Sequence, residues 1–575
     1  MIRFLLPVLQ VHAVLQAATI RRREEALKTL PSDLSDAFSG TVARIEQQPV
    51  AHSAKAKAIV AWVYLAERPV SVNELLCSLA IEDGDTTFNP RGIPVRSTLL
   101  SCCHGLVVID PETHTVRLVH YSFQEYLNQQ NKMFGISKEE WHSQIARTCL
   151  TFLNFPNETA DEDMGITLLS YAATKWGHHL RRSEHLPDTP LELAKEYLST
   201  ARALNSASLF LLYREMYTGH HKNHELHCAV TAAHIAAFFG IHSMMLHLTV
   251  AGNIDSKDTI GYTPLSWAAK LGYKPIVKLL IEKGVPVDPQ ALDGTTPLLL
   301  ALKFKHEWVA ELLIHHGSAV DAHDENKNTP LSYAVEYECE VAVRLLLDRG
   351  ASVDAKNRFG ETPLLIAAQG GFERIVSFLL ESGAAVDVKD PYGRTPLLYA
   401  ALSGFEKIVK LLLAKNATVD SLDHKYGRTP LLWAMAEDHE AIARVLIDKG
   451  AAINTVDATY GWTPLIWAAY HGREKIARLL IENGAAIDSV DIKYGRTPLL
   501  LALEYRHEAV VKLLLCNGAA ATLMDSGGNF DLATWEEDEG LDGLMDRLGL
   551  TMDDLGHRLK REPSRKKPTY LEYFT

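Results

Sequence analysis

The dipeptide Thr-Pro recurs at Thr263, Thr296, Thr329, Thr362, Thr395, Thr429, Thr463 and Thr497, four times at a spacing of 33 residues and then three times at 34. A longer phrase travels with it: "KYGRTPLLWA" from Lys425 to Ala434 returns as "KYGRTPLLLA" from Lys493 to Ala502. A copy without the proline, "TAAHIAAFFG" at Thr231, lies 32 residues before the first and makes nine units. A unit of this size cannot bury an apolar face alone, so a regular period of about 33 residues commits this part of the chain to a stack in which each unit is stabilised by its neighbours.

The residues predict the form of one unit. In "GRTPLLYAALSGFEKIVKLLLAKNATVD", the Thr395 hydroxyl can cap a helix whose first position is Pro396, where a missing N–H is harmless. The same pair serves as Thr263-Pro264, Thr296-Pro297, Thr329-Pro330, Thr362-Pro363, Thr429-Pro430, Thr463-Pro464 and Thr497-Pro498. A second helix carrying Ile408, Val409, Leu411, Leu412 and Leu413 follows the turn at Gly404. It ends before a glycine in nearly every copy (Gly284, Gly317, Gly350, Gly383, Gly450, Gly484, Gly518) and before Asn416 in the remaining one, as a left-handed residue after the last turn requires. The Asp, Asn and Gly that come next suit a tight hairpin projecting from the stack.

Period and phrase together resemble the ankyrin repeat. The fourth residue of the family's phrase is commonly histidine; here only His234 keeps it, while Ser266, Leu299, Ser332, Leu365, Leu398, Leu432, Ile466 and Leu500 replace it. The resemblance implies a mostly α chain ending in an α-solenoid with β-hairpin fingers, and binding of partner proteins across finger tips and the concave helical face. The candidate binding residues are the tip aromatics Phe359, Tyr392, Tyr426, Tyr460 and Tyr494 with Glu361, Arg394, Arg428, Trp462 and Arg496 two positions on. Tyr, Trp and Arg are the residues that dominate protein interfaces. Packing of the tyrosines between adjacent fingers is the competing reading. If the arginines form an exposed ladder, replacing Arg394, Arg428 and Arg496 by Glu should abolish partner capture without unfolding the stack. A second aromatic column, Trp267, Tyr333, Tyr399, Trp433 and Trp467, lies on the first helices, interleaved with Leu300, Ile366 and Leu501, and reads as packing between units.

The first 225 residues contain no repeat. "AKAKAIVAWVYLAERPVSVNELLCSLAIE" predicts a helix with Ile59, Val60 and Val63 inward, a turn at Pro69 and a second helix from Asn73. "LLSCCHGLVVIDPETHTVRLVHYSFQEYL" adds a helix, two strands joined by "DPETHT" and a helix from near Ser122, the order of a winged helix. These stretches, with "YAATKWGHHLR", resemble the region after the NACHT nucleotide-binding module in fungal NOD-like receptor proteins with ankyrin repeats, including the winged-helix domain named after GPI inositol-deacylase. The opening "FLLPVLQVHAVLQAATIRRREEALKTLPSDL" is similar to the last helices of that module. The expected organisation is 1–45 a NACHT-like helical remnant, 46–130 a winged helix, 131–225 a helical linker, 226–530 the repeats and 531–575 a tail, acidic and then basic.

Several functions are disfavoured. No Gly-x4-Gly-Lys-Ser/Thr run exists to cradle phosphates, so no nucleotide and no cofactor is expected, and the chain reads as either a receptor-derived binding protein or a truncated gene model. No nucleophile motif appears, so no catalytic residue is assigned and the chain is expected not to be an enzyme. The excess of 71 acidic over 58 basic residues and the single arginine in "VRSTLLSCCHGL" argue against DNA. "TGHHKNHELHC" gathers His220, His221, His224, His227 and Cys228 but reads as a polar linker, and no metal is expected. Seven cysteines without a CxxC pair suit a reducing compartment. The first residues carry features of a secretory signal, but Pro7, Gln10, His12 and Gln16 interrupt the apolar run, and Phe4, Leu5, Val8, Leu9, Val11 and Leu15 recur at helical spacing. A cytoplasmic location without a membrane span is expected. The alternative is a nuclear regulatory factor using the winged helix and the basic tail "RLKREPSRKKPTYLEYFT".

Overall fold

A computed structural model of the protein describes residues 34–155, 165–187, 189–199, 230–252 and 254–519. Residues 1–33 of the helical remnant, the histidine-rich linker segment and the C-terminal tail lie outside the described residues. The chain divides into two compact units after Leu292.

In the first unit, helix α1 (Leu34–Glu46) precedes α2 (Val50–Leu65). The buried side of α2 holds Ala56, Ile59, Val60, Trp62 and Leu65, while Val63, expected inward, is half-buried because the larger Trp62 takes the core position. Strand β1 (Val70–Ser71) leads into α3 (Val72–Ser78), which begins one residue before the expected Asn73 because Ser71 and Glu74 cap it reciprocally, with bonds of 3.1 and 2.7 Å. Helix α4 (Arg96–Cys102), strands β2 (Val107–Ile109) and β3 (Thr115–Leu118) and α5 (Tyr121–Gln129) follow. The turn "DPETHT" is closed by Asp110 Oδ1, which accepts the N–H groups of Glu112 and Thr113. The expected strand pair gains a third member: β1 pairs antiparallel with β3 in the order β1-β3-β2, with Val70 opposite Val116. Two residues are too few to show an alternation in sequence.

A short hairpin, β4 (Lys132–Met133) and β5 (Ile136–Ser137), leads to α6 (Lys138–Leu153), which packs along α7 (Gly165–Arg182); α8 (Leu191–Ser199) completes this region. Between α6 and α7 the His142 and His179 Nδ1 atoms meet at 2.7 Å, and the Tyr171 hydroxyl lies 2.9 Å from His179 Nε2. The first repeat, α9 (Ala232–Phe239) and α10 (His242–Ala251), docks against α7. Gly177 is required there, since a Cβ at that position would come within 2.1 Å of the Phe239 ring, which Trp176 and His178 flank at centroid distances of 5.1 Å. Helix α7 thus covers the apolar side of the first repeat, where the outer face of a solenoid end would otherwise have to be polar. One further helix pair, Pro264–Lys270 and Lys274–Glu282, completes the unit.

The second unit holds seven helix pairs, from Pro297–Lys303 to Glu508–Cys516. Each first helix starts at its proline, and each threonine Oγ1 from Thr296 to Thr497 accepts the N–H three residues on at 3.2–3.4 Å. After each second helix the residue is left-handed, with φ 62° at Asn416 and 80–88° at the glycines of this unit. The fingers between pairs are tight turns, shorter than paired strands: Asp390 N–H donates to Arg394 O and Gly393 N–H to Asp390 O, leaving no residues for a ladder. In the 34-residue units the extra residue widens this turn, and Gly427 N–H reaches Asp423 O across four residues instead of three.

Successive fingers share one backbone hydrogen bond at the tip. Asp293 O accepts Glu325 N–H, Asn326 O accepts Arg358 N–H, Tyr392 O accepts His424 N–H, Tyr426 O accepts Ala458 N–H and Tyr460 O accepts Ile492 N–H. At the remaining step the donor position is Pro391, which has no N–H, and the rung from Phe359 O is missing. No helix among the described residues is long and apolar enough to cross a membrane.

Candidate partner-binding surface

All described fingers but the one at Ala291 carry a carboxylate or amide at the same turn position. Asp390 Oδ1 accepts the N–H groups of Tyr392 and Arg394 at 2.8 Å, and its Oδ2 accepts the Tyr399 hydroxyl at 2.8 Å. Burial and this bond to Asp390 push the Tyr399 pKa up to about 12. Asp258 holds Trp267 Nε1 in the same way at 2.9 Å, Asp324 holds the Tyr333 hydroxyl at 2.7 Å and Asp423 holds Trp433 Nε1 at 2.8 Å. Where the first helix offers no donor, the finger supplies one itself. Opposite Ile366 the turn residue is Asn357, which donates to Glu361 Oε2 at 2.9 Å, and in the unit of Leu501 the Arg496 Nε donates to Asp491 Oδ2 at 2.8 Å. At Leu300 the turn position is Ala291, and both polar partners are gone. Trp267, Tyr333, Tyr399 and Trp433 of the aromatic column therefore anchor their fingers, because a buried acceptor needs a donor, whereas Trp467 Nε1 makes no such bond to Asp457.

This bonding decides where the candidate binding residues stand. Phe359 and Tyr392 are 63% and 60% exposed at their tips, and Tyr494 is 36% exposed. Tyr426 and Tyr460 are half-buried, each ring packed on a tryptophan of its own unit, Trp433 at 5.5 Å and Trp462 at 5.7 Å. The expected ladder of exposed arginines is not formed. Arg394 folds back over Tyr392 and Tyr399 at 5.8 and 5.6 Å, and Arg496 pairs with Asp491 and Glu504. Arg428 is only 3% exposed: it lies over Trp433 at 4.6 Å and faces the buried Asp457 of the next finger at 3.5 Å. Trp462 is 8% exposed and packs on Trp467 at 4.7 Å, while Glu361 is half-buried. A triple replacement by Glu would set a carboxylate against Asp457, so it tests folding before it tests binding.

Comparison with known families accounts for the repeated geometry. Residues 201–291, 284–357, 352–423, 416–491 and 453–525 match ankyrin repeats, and together they span more than half of the chain. The chain belongs to the ankyrin-repeat family. Residues 45–137 match the winged helix domain of GPI inositol-deacylase, so a winged helix precedes the ankyrin stack. A comparison with curated proteins found no match. Ankyrin repeats generally bind proteins, which places protein–protein interaction first among the roles of this stack. The one ankyrin-type histidine does what the phrase implies: His234 Nδ1 meets Thr231 Oγ1 at 2.9 Å, and its Nε2 meets Tyr262 O at 3.0 Å, which ties a helix start to the following finger.

Across three successive ankyrin repeats the surface opens into a cavity of about 420 Å³, lined among others by Tyr333, Glu336, Tyr337, Phe359, Glu361 and Gln369. Glu336 and Tyr337 were not singled out from sequence. The available signal was variation: their position in the first helix reads Lys303, Glu336, Gln369, Leu402, Ala436, Tyr470 and Glu504 in successive units, while the capping residues around it repeat.

Proposed function

We propose that the chain is a non-enzymatic recognition protein whose ankyrin stack holds a partner protein on its exposed tip aromatics and concave face. The observation that carries this reading is the set Phe359, Tyr392 and Tyr494, large rings held in solvent by turns that a buried aspartate or asparagine fixes. Preordered aromatic side chains lose little entropy on binding, which is why they serve as anchors. The resemblance of the N-terminal stretches to fungal NOD-like receptors supports a receptor-type sensor. DNA binding through the winged helix finds little support, since α4 carries one basic residue, Arg96, on a segment whose exposed residues include Val95 and Leu100.

The test replaces Phe359, Tyr392 and Tyr494 by serine and compares capture of partner proteins from extract of the native cell by the variant and the parent chain. The reading requires the captured set to be lost with unfolding unchanged; equal capture by the variant overturns it.

A further inference from the structure

The cavity beside Glu361 is a place that the neighbouring units fill from within. One unit on, the Arg394 guanidinium lies over the Tyr399 ring; in the next, Arg428 lies over Trp433; in the next, Trp462 covers Trp467. At the Thr362 unit the residue at the finger base is an acid bonded back to Asn357, and the first helix offers Ile366 in place of an aromatic ring. What remains is an open site with aromatic walls, Tyr337 stacked on Tyr333 at 6.0 Å and Phe359 exposed at the finger tip, together with two carboxylates, Glu336 and Glu361. Neither carboxylate forms an ion pair among the described residues, and Lys303 is the one basic residue in the lining. Burial first and then the charge of Glu361 hold the Glu336 carboxyl above the usual carboxylate range, and Lys303 offsets this only in part. Lys303 is thus the one lining cation set against two acids.

We infer that this cavity receives an arginine side chain of the partner protein, its guanidinium facing Glu336 and Glu361 and its plane against the exposed ring of Phe359. The inference rests on the protein-recognition reading above. Arginine fits better than lysine, because a planar fork can bond carboxylates and stack on a ring together, as Arg394 and Arg428 do inside the same stack. The net charge of −13 favours approach of a basic segment at low salt.

Random peptides displayed on phage supply the probe, selected on the full chain and remade synthetically with arginine or with neutral citrulline. The expected result is a shared arginine among the enriched peptides and a loss of about tenfold or more in affinity when citrulline replaces it. The same loss is expected with Glu336→Gln/Glu361→Gln and, independently, with Ile366→Tyr, which refills the cavity as Tyr399 fills its own unit; thermal unfolding of each variant monitors folding. Enriched peptides without an arginine, or arginine peptides bound equally by both variants, overturn the inference while leaving protein recognition in place. A native chain that enriches no peptide counts against both.

Discussion

Replacing Asp423 by alanine removes one side chain that serves four donors. Its Oδ1 accepts the Lys425 and Tyr426 N–H groups at 2.9 and 2.6 Å, and its Oδ2 accepts Trp433 Nε1 at 2.8 Å and the Arg428 N–H at 3.3 Å. Trp433 and Arg428 are buried and have no water to turn to, whereas Lys425 is exposed. Leaving a buried donor unpaired costs about 1–3 kcal/mol, so the two buried donors put Asp423→Ala at about 2–6 kcal/mol. Trp433→Leu removes the main side-chain donor at the cost of a cavity. The double variant recreates the apolar pair that the chain already carries at Ala291 and Leu300, so the two losses should fall short of adding by about 1–2 kcal/mol. Native-state amide exchange across residues 425–433 measures this directly, because a long repeat array does not open as one unit. Unchanged exchange in Asp423→Ala, or a double variant as costly as the sum, would refute the anchoring argument.

Arg428→Ala leaves the buried Asp457 without its cationic partner and should cost about 3 kcal/mol or more, against less than about 1 kcal/mol for the half-buried Arg394→Ala; urea unfolding of the two variants ranks them. Burial depresses the pKa of His142 to about 4 and that of His179 well below its ordinary value, so the unfolded chain takes up protons below about pH 6.5 that the folded chain refuses. The unit containing α6 and α7 should therefore lose stability as pH falls from 6.5 towards 4, and His142→Phe should lower the slope of stability against pH by about one proton. A variant with an undiminished slope would place the acid sensitivity elsewhere.

Much of the fold was legible because its signals are local. A threonine, a proline and a left-handed glycine each act within one turn of helix, and Asn416 follows the rule that the glycines follow. The candidate surface was less legible because exposure is settled between units. Arg428 and Arg394 occupy the same position in the phrase, yet only Arg428 meets a buried aspartate on the next finger, 29 positions away in the sequence. Gly177 likewise reads as an ordinary helix residue until Phe239 is placed against it. The strand Val70–Ser71 was invisible for want of length, and the cavity was invisible because it consists of what Ile366 and Glu361 do not fill.

The proline at the tip of the fifth finger has a mechanical meaning. Pulled along its length, a stack of this kind behaves as a spring whose coils are stitched to one another at the tips, and the Phe359–Pro391 step lacks its stitch. Load that other steps share with a backbone bond at the tip falls there on packing and on side-chain links such as Asp354 to the Ala385 N–H. The spring should extend first at that seam, and a partner seated beside Phe359 would sit where the coil is softest.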